Sequence, residues 1–333
     1  PDQVRHDGGS LFNRQVNIQK PAARYKMKEF NPIRTALFVP GNRPDRVDKA
    51  VNAGADAVII DLEDAVPLSQ KEKTRLLVKK KIIEHRDKKL IVRINGLDTS
   101  FARSDLEEVL SDGLFCIMVP KVESCVHIQE LNSLALEIEE KKGFKRGSVS
   151  IIPMMESAMA VENAFEIASE RTEPERLFTL AFGAADYTLD LGIEITGSGE
   201  ELLYPRSKIA IACRAGGIDP PLDTPFMLDL KDLKALEADA KRARQLGFQG
   251  KLCVHPNQVE TCNRLFYPSE DEILFAKKIV QAFNDAEAGG FAAIQVEGKF
   301  VDYPVVERAR SVLKLAAVVG AQAEKSIWKD GGI

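Results

Sequence analysis

Eight short apolar runs, separated by helix-like stretches, constrain this chain more than any other feature. They begin with TALFVPG at 35, AVIIDLED at 57, LIVRIN at 90 and FCIMVPK at 115. VSIIPMMES at 149, LFTLAFGAADY at 177, GIDPPLDTPF at 217 and KLCVHPNQ at 251 complete the set. Runs of this length read as buried parallel strands. Their spacing averages roughly thirty residues, one strand–helix unit. Such alternation closes into a barrel or opens as a doubly wound sheet. No GxGxxG follows the first run, which favours an α/β fold of the (β/α)8 TIM-barrel type. The seventh run is the weakest, because its three prolines suit a central strand poorly.

The intervening stretches carry helix signals. PDRVDKAVNAGA offers Pro44 for a first turn and Gly54 for a C-terminal cap. KEKTRLLVKKKIIEH places Leu76, Leu77, Lys80 and Ile83 at helical spacing, with a charged outer face. CVHIQELNSLALEIEEKKG and DLKDLKALEADAKRARQLG end on basic residues followed by Gly143 and Gly247. After the eighth unit, a long helix is predicted from Ser269, then a hairpin turning near Gly298, then another helix over PVVERARSVLKLAAVVG. The expected organisation is an arm over residues 1–32, a barrel over 33–268 and a helix–hairpin–helix extension over 269–333. Tails of this kind often cover a barrel mouth, in their own subunit or a neighbour's. The arm is basic in part and reads as a solvated or subunit-clasping segment, with a targeting remnant as the alternative.

Length and charge narrow the function. The 333 residues accommodate a barrel of about 250. A formal net charge of −4 gives no global argument for nucleic acid. No apolar stretch approaches the roughly 20 residues that cross a bilayer, so no membrane partner is expected. The five cysteines fit no zinc or redox spacing and read as reduced structural thiols. The expected compartment is the cytoplasm, or the mitochondrial matrix in a eukaryote.

In a barrel of this kind, polar residues at the C-terminal ends of strands converge on one site. The fifth and sixth runs end at Glu156 and Asp186, two carboxylates able to share a hard cation, most simply Mg²⁺ or Mn²⁺ in its place. Capping of the next helix is the structural alternative. Arg93 sits among apolar residues and must be paired. It reads either as a partner of Glu63 or Asp64 on the neighbouring strand, or as a forked donor to a substrate oxygen. Asp61, Glu63 and Asp64 crowd together. Strand alternation sends Asp61 and Glu63 to one face and Asp64 to the other, in outer support of the metal and Arg93. Lys121 neutralises substrate or pairs with that acidic cluster. His255 is a base or simply a satisfied barrel residue. Asp302, just before the last helix, is an N-cap or a proton donor.

Taken in order, LFVPGNRPDR, IIDLEDAV, VRINGLDT, VPKVES, PMMESAMAV, FGAADY, CVHPNQ and GKFVDYPVVERA resemble the HpcH/HpaI aldolase/citrate lyase family. The likeness is greatest to citrate lyase β-subunits and to malyl-CoA and citramalyl-CoA lyases. The resemblance spans roughly residues 33–318. It implies an Mg²⁺-binding barrel assembled as a homotrimer or larger oligomer. Glu156 and Asp186 match the metal carboxylates and Arg93 the substrate arginine. Asp302 matches an acid/base delivered into an adjacent subunit. Phe38, Val254 and His255 match substrate-contact positions. Ala185 stands where many citrate lyase β-subunits have glutamate. Of the basic residues that grip CoA, Lys49 fits, Asp45 replaces a lysine, and Arg43 and Arg46 are the substitutes. The activity implied is reversible cleavage of a 3-hydroxyacyl-CoA thioester of malyl or citramalyl type to an acyl-CoA and a 2-oxo acid such as glyoxylate or pyruvate. The alternatives are a citrate lyase β-subunit working within a complex, a malyl-CoA thioesterase, a pyruvate-dependent aldolase and a non-catalytic scaffold subunit.

Overall fold

Each of the eight predicted runs contributes a strand. In the computed structural model, which describes residues 32–330, these are β1 (Thr35–Pro40), β2 (Ala57–Asp61), β3 (Leu90–Arg93), β4 (Cys116–Val119), β5 (Ser150–Met155), β6 (Ala181–Phe182), β7 (Leu222–Asp223) and β8 (Gly250–Cys253). They form a closed parallel barrel in chain order, with β1 pairing to both β2 and β8. The proline-rich β7 shrinks to two residues, as Pro220, Pro221 and Pro225 lack ladder donors. The helices in chain order are α1 (Pro44–Ala50), α2 (Lys71–Glu84), α3 (Ala102–Val109), α4 (Cys125–Lys142), α5 (Ala158–Glu162) and α6 (Ala164–Ser169). They continue as α7 (Ala184–Leu191), α8 (Leu203–Gly216), α9 (Leu233–Gln245), α10 (Asn257–Leu265), α11 (Glu270–Ala288) and α12 (Tyr303–Asp330). The extension adds the antiparallel strands β9 (Ala293–Val296) and β10 (Lys299–Asp302). The arm expected over residues 1–32 lies outside the described residues, apart from its last residue.

Period-two alternation sorts the strand residues into two cores. Ala36, Ile59, Ile91, Met118, Ile152 and Leu252 fill the barrel interior. Leu37, Val58, Ile60, Val92, Ile117, Ile151 and Cys253 pack outward against the helices. The interior series, carried one step further up each strand, lands on Phe38, Asp61, Arg93, Met154 and Val254. Strand register therefore delivers the candidate side chains to one rim.

Two local expectations need correction. Leu76 and Ile83 do not face the core: each is 59% exposed, and α2 buries Lys71, Thr74, Arg75, Val78 and Ile82 instead. The buried cations are paired, Arg75 with Asp105 at 2.6 Å and Lys71 with backbone carbonyls, so a partly polar face can turn inward. Gly54 does not cap α1, which ends at Ala50; it supplies a left-handed residue in the following turn. Gly143 does cap α4, with the adjoining Phe144 N–H bonded to Glu139 O.

The extension has a small core of its own, built from Ala276, Ile279, Phe283, Val301, Val306 and Ala309. Ser269 and Glu272 form a reciprocal capping box at the start of α11. Glu297 and Gly298 both adopt positive φ (48° and 79°) in the two-residue hairpin turn, the geometry that matches strand twist. No helix among the described residues is long and apolar enough to cross a membrane.

Candidate active site

The chain leaves β2 at Asp61 and turns sharply, held by Asp61 itself. Its carboxylate accepts the N–H groups of Glu63 (2.9 Å) and Ala65 (3.0 Å). The same two oxygens receive the Nε and Nη2 of Arg93, both at 2.7 Å. Arg93 Nη1 lies 3.1 Å from Glu63 and 3.2 Å from Asp64. All three carboxylates therefore converge on Arg93. The expected separation of Asp64 onto the opposite face does not occur, because alternation ends with the strand. Arg93 is buried, which alone would lower its pKa, but the surrounding carboxylates raise it. Its guanidinium carbon sits 5.0 Å from the Phe38 ring centre. Burial pushes Glu63 up to about 8, against the pull of Arg93.

The turn is also fastened from behind. Lys71 Nζ donates to Leu62 O and Glu63 O, both at 2.9 Å, and to Asn95 Oδ1 at 2.6 Å. Asn95 in turn donates to Leu62 O and Asp105. Sequence reasoning did not single out Lys71 or Asp105. A lysine at the first position of a helix normally reads as surface.

Glu156 follows β5 and is 3% exposed. Its Oε1 accepts the Lys121 backbone N–H at 2.6 Å. Its buried Oε2 has no hydrogen-bond partner. Lys121 reaches this bond by adopting φ 53°, a left-handed conformation costly for a lysine. Its side chain is exposed and does not pair with the acidic cluster. Gly183 passes so close that a Cβ there would lie 2.9 Å from Glu156 Oε2. Asp186 stands in the first turn of α7, not at a strand end, since β6 stops at Phe182. Burial, first, and the Asp186 charge, in part, push the Glu156 carboxyl up to about 7. A buried carboxylate with an unpartnered oxygen beside a second acid is a fitting seat for a hard cation.

A cavity of about 450 Å³ opens at this rim. Phe38, Arg46, Asp61, Asp64, Arg93, Met154, Asp186, Thr224 and Val254 line it. Several expected residues lie elsewhere. His255 is exposed and bonded to Asn257 Oδ1 at 2.7 Å; one residue beyond Val254, it falls on the other side of the chain. Arg43 pairs with Asp45 at 3.0 Å, and Lys49 is exposed in the last turn of α1. Asp302 closes β10, accepts the Val305 N–H at 3.3 Å and does not line the cavity. A shallower groove on the extension, between Lys278 and Val296, holds none of the candidate residues.

Comparison with known proteins gives the family and the fold. The HpcH/HpaI aldolase/citrate lyase family model matches residues 34–256. The chain belongs to that family. It is thereby a carbon–carbon lyase by class. Citrate lyase subunit beta of Leuconostoc mesenteroides subsp. cremoris is 39% identical over 85% of this chain and 93% of that protein. L-malyl-CoA/beta-methylmalyl-CoA lyase of Cereibacter sphaeroides is 34% identical over 87% and 96%. Among solved structures, CitE from Mycobacterium tuberculosis, in complex with magnesium, acetoacetate and coenzyme A, shares 29% identity. It superposes with a TM-score of 0.71 over 86% of this lyase and 98% of that chain.

Proposed function

We propose that this lyase cleaves, and in reverse forms, a 3-hydroxyacyl-CoA thioester of malyl or citramalyl type, giving an acyl-CoA and a 2-oxo acid. The observation that carries the reading is the buried, unpartnered Glu156 oxygen, close enough to Asp186 and Arg93 to feel both charges, at a rim whose cavity Asp186 and Arg93 line. Glu156 and Asp186 would hold Mg²⁺, the ion named in the related CitE complex. Bound there, the ion supplies a Lewis acid for the oxygens of the 2-oxo acid. Arg93, locked by Asp61, presents its Nη1 edge to negative charge that develops on the thioester enolate, displacing the exposed Asp64 as partner. Arg46 at the rim meets the phosphates of CoA. Asp302 moves the proton at the enolate carbon. That it does not line the cavity of its own chain supports delivery into the mouth of an adjacent subunit, in a homotrimer or larger assembly.

The 39% identity to a citrate lyase β-subunit favours one second reading, action on a citryl thioester within a complex. A panel of malyl-, methylmalyl-, citramalyl- and citryl-CoA incubated with Mg²⁺ separates the two. Release of glyoxylate or pyruvate by the isolated protein supports the first reading. Oxaloacetate from citryl-CoA alone selects the second, and free CoA without any 2-oxo acid overturns both.

A further inference from the structure

Thr224 follows β7, lines the cavity and is 3% exposed. Its Oγ1 accepts the N–H of Ala184 at 3.0 Å. Ala184 is the first residue of α7, two positions before Asp186. A threonine hydroxyl both accepts and donates. Among the described residues no acceptor takes the Thr224 proton, although the group is buried, and buried donors are rarely left without a partner. The residues of α7 and of the segment after β7 that line the cavity with it are Ala184, Ala185, Asp186, Pro225 and Met227. Of these side chains only Asp186 is polar, and when ionised it only accepts. Besides the guanidinium groups of Arg46 and Arg93, Thr224 is the one side-chain donor that an anionic, oxygen-rich ligand meets among the residues lining the cavity.

We propose that Thr224 donates its hydroxyl proton to an oxygen of the bound 2-oxo acid, making it a specificity-determining contact of the site. The inference rests on the lyase reading above. The Ala184 N–H occupies one lone pair of the hydroxyl and leaves its proton free for an acceptor in the cavity that Thr224 lines. A ligand that lacks an oxygen at this point leaves the donor unsatisfied, the kind of loss by which polar sites discriminate.

The test uses the intact protein loaded with Mg²⁺ and reads pyruvate and glyoxylate binding by calorimetry, with Mg²⁺ titrated separately. Thr224→Val keeps the shape and removes both the donor and the acceptor of the Ala184 N–H, the second loss being the one that the Mg²⁺ titration monitors. It is expected to weaken 2-oxo acid binding about tenfold, the scale of one hydrogen bond, with Mg²⁺ affinity unchanged. Thr224→Ser, which keeps the hydroxyl, should stay within about threefold of wild type. If Thr224→Val does not fold, Thr224→Ala against Thr224→Ser gives the same comparison. Equal acid affinity in the Val and wild-type proteins overturns the proposal. So does a parallel loss of Mg²⁺ affinity, which would make Thr224 a support for Asp186 through α7. A wild-type protein that binds Mg²⁺ but neither acid overturns the lyase reading as well, and is distinguished by that control.

Discussion

Glu156 sets the behaviour of the site at the scale of one residue. Burial raises its carboxyl to about 7 from an ordinary 4.5, in the absence of a cation. The folded state therefore holds a proton that the unfolded chain releases near 4.5. Between those two values the folded form binds more protons, so stability falls as pH rises through that window. Each unit of separation is worth roughly 1.4 kcal/mol, so the loss is on the order of 3 kcal/mol. Glu63, raised from 4.5 to about 8, adds its own decline across that window and carries it to higher pH. The metal-free protein should thus melt at a lower temperature at pH 8 than at pH 5.5, and Mg²⁺ should restore much of the difference. Glu156→Gln should make the profile shallower, leaving the part due to Glu63, and weaken Mg²⁺ binding by at least tenfold, the scale seen even for outer metal contacts. An unchanged melting profile in the variant would remove Glu156 from this account. Lys121 separates backbone from side chain. Its N–H holds Glu156 through a left-handed conformation that costs a lysine about 1 kcal/mol. Lys121→Gly should therefore be more stable by about that amount in urea titration and retain Mg²⁺ affinity. A large loss of metal binding would instead assign the role to the exposed ammonium.

Strand and helix elements are joined by charge in places where apolar packing is expected. Lys251 on β8 and Asp223 on β7 form a fully buried pair, closed by Arg206 on α8 and Asp239 on α9. Two cations face two carboxylates between the barrel wall and the helix layer. Removing one member leaves an uncompensated buried charge, so Lys251→Met should cost about 3–5 kcal/mol. Urea unfolding measures this, and a loss below about 1 kcal/mol would mean that the cluster is only loosely coupled. Because β7 carries Thr224 directly after Asp223, the same variant should also loosen the cavity wall. These buried charges explain what was legible in the sequence and what was not. The eight strands were readable, since apolar runs report burial directly. Arg93 and Glu156 were readable because they extend the inward register of strands already recognised; Val254 was legible only through the family resemblance. Asp186 was readable as a residue but not as part of α7, since nothing in LFTLAFGAADY marks where a two-residue strand gives way to a helix. Lys71, Asp105 and Thr224 were not readable. Their roles depend on partners 9 to 40 residues away, and charge patterns along one helix carry no record of such pairing. The inward face of α2 was misread for the same reason: its buried Arg75 is neutralised from α3.

At the scale of the whole molecule, the barrel and its extension divide the proposed chemistry. The barrel rim carries Glu156 just past β5, Asp186 and Arg93, while Asp302 sits on the hairpin of the extension and does not line the cavity there. The extension also leaves Leu274, Phe291, Phe300 and Tyr303 at least half exposed. If Asp302 serves a neighbour, two inactive variants should complement each other. Glu156→Gln loses the barrel half of a site and keeps Asp302. Asp302→Asn keeps the barrel half and loses the proton carrier. Mixed by co-expression in equal amounts, each shared site draws its two halves from different chains. In a ring of identical contacts, about a quarter of the sites then combine an intact rim with an intact Asp302. Turnover of the preferred hydroxyacyl-CoA should rise from near zero in either variant alone to about that fraction of wild type. If both halves came from one chain, no mixture of the two variants would recover activity, because every chain would carry one defect in its own site.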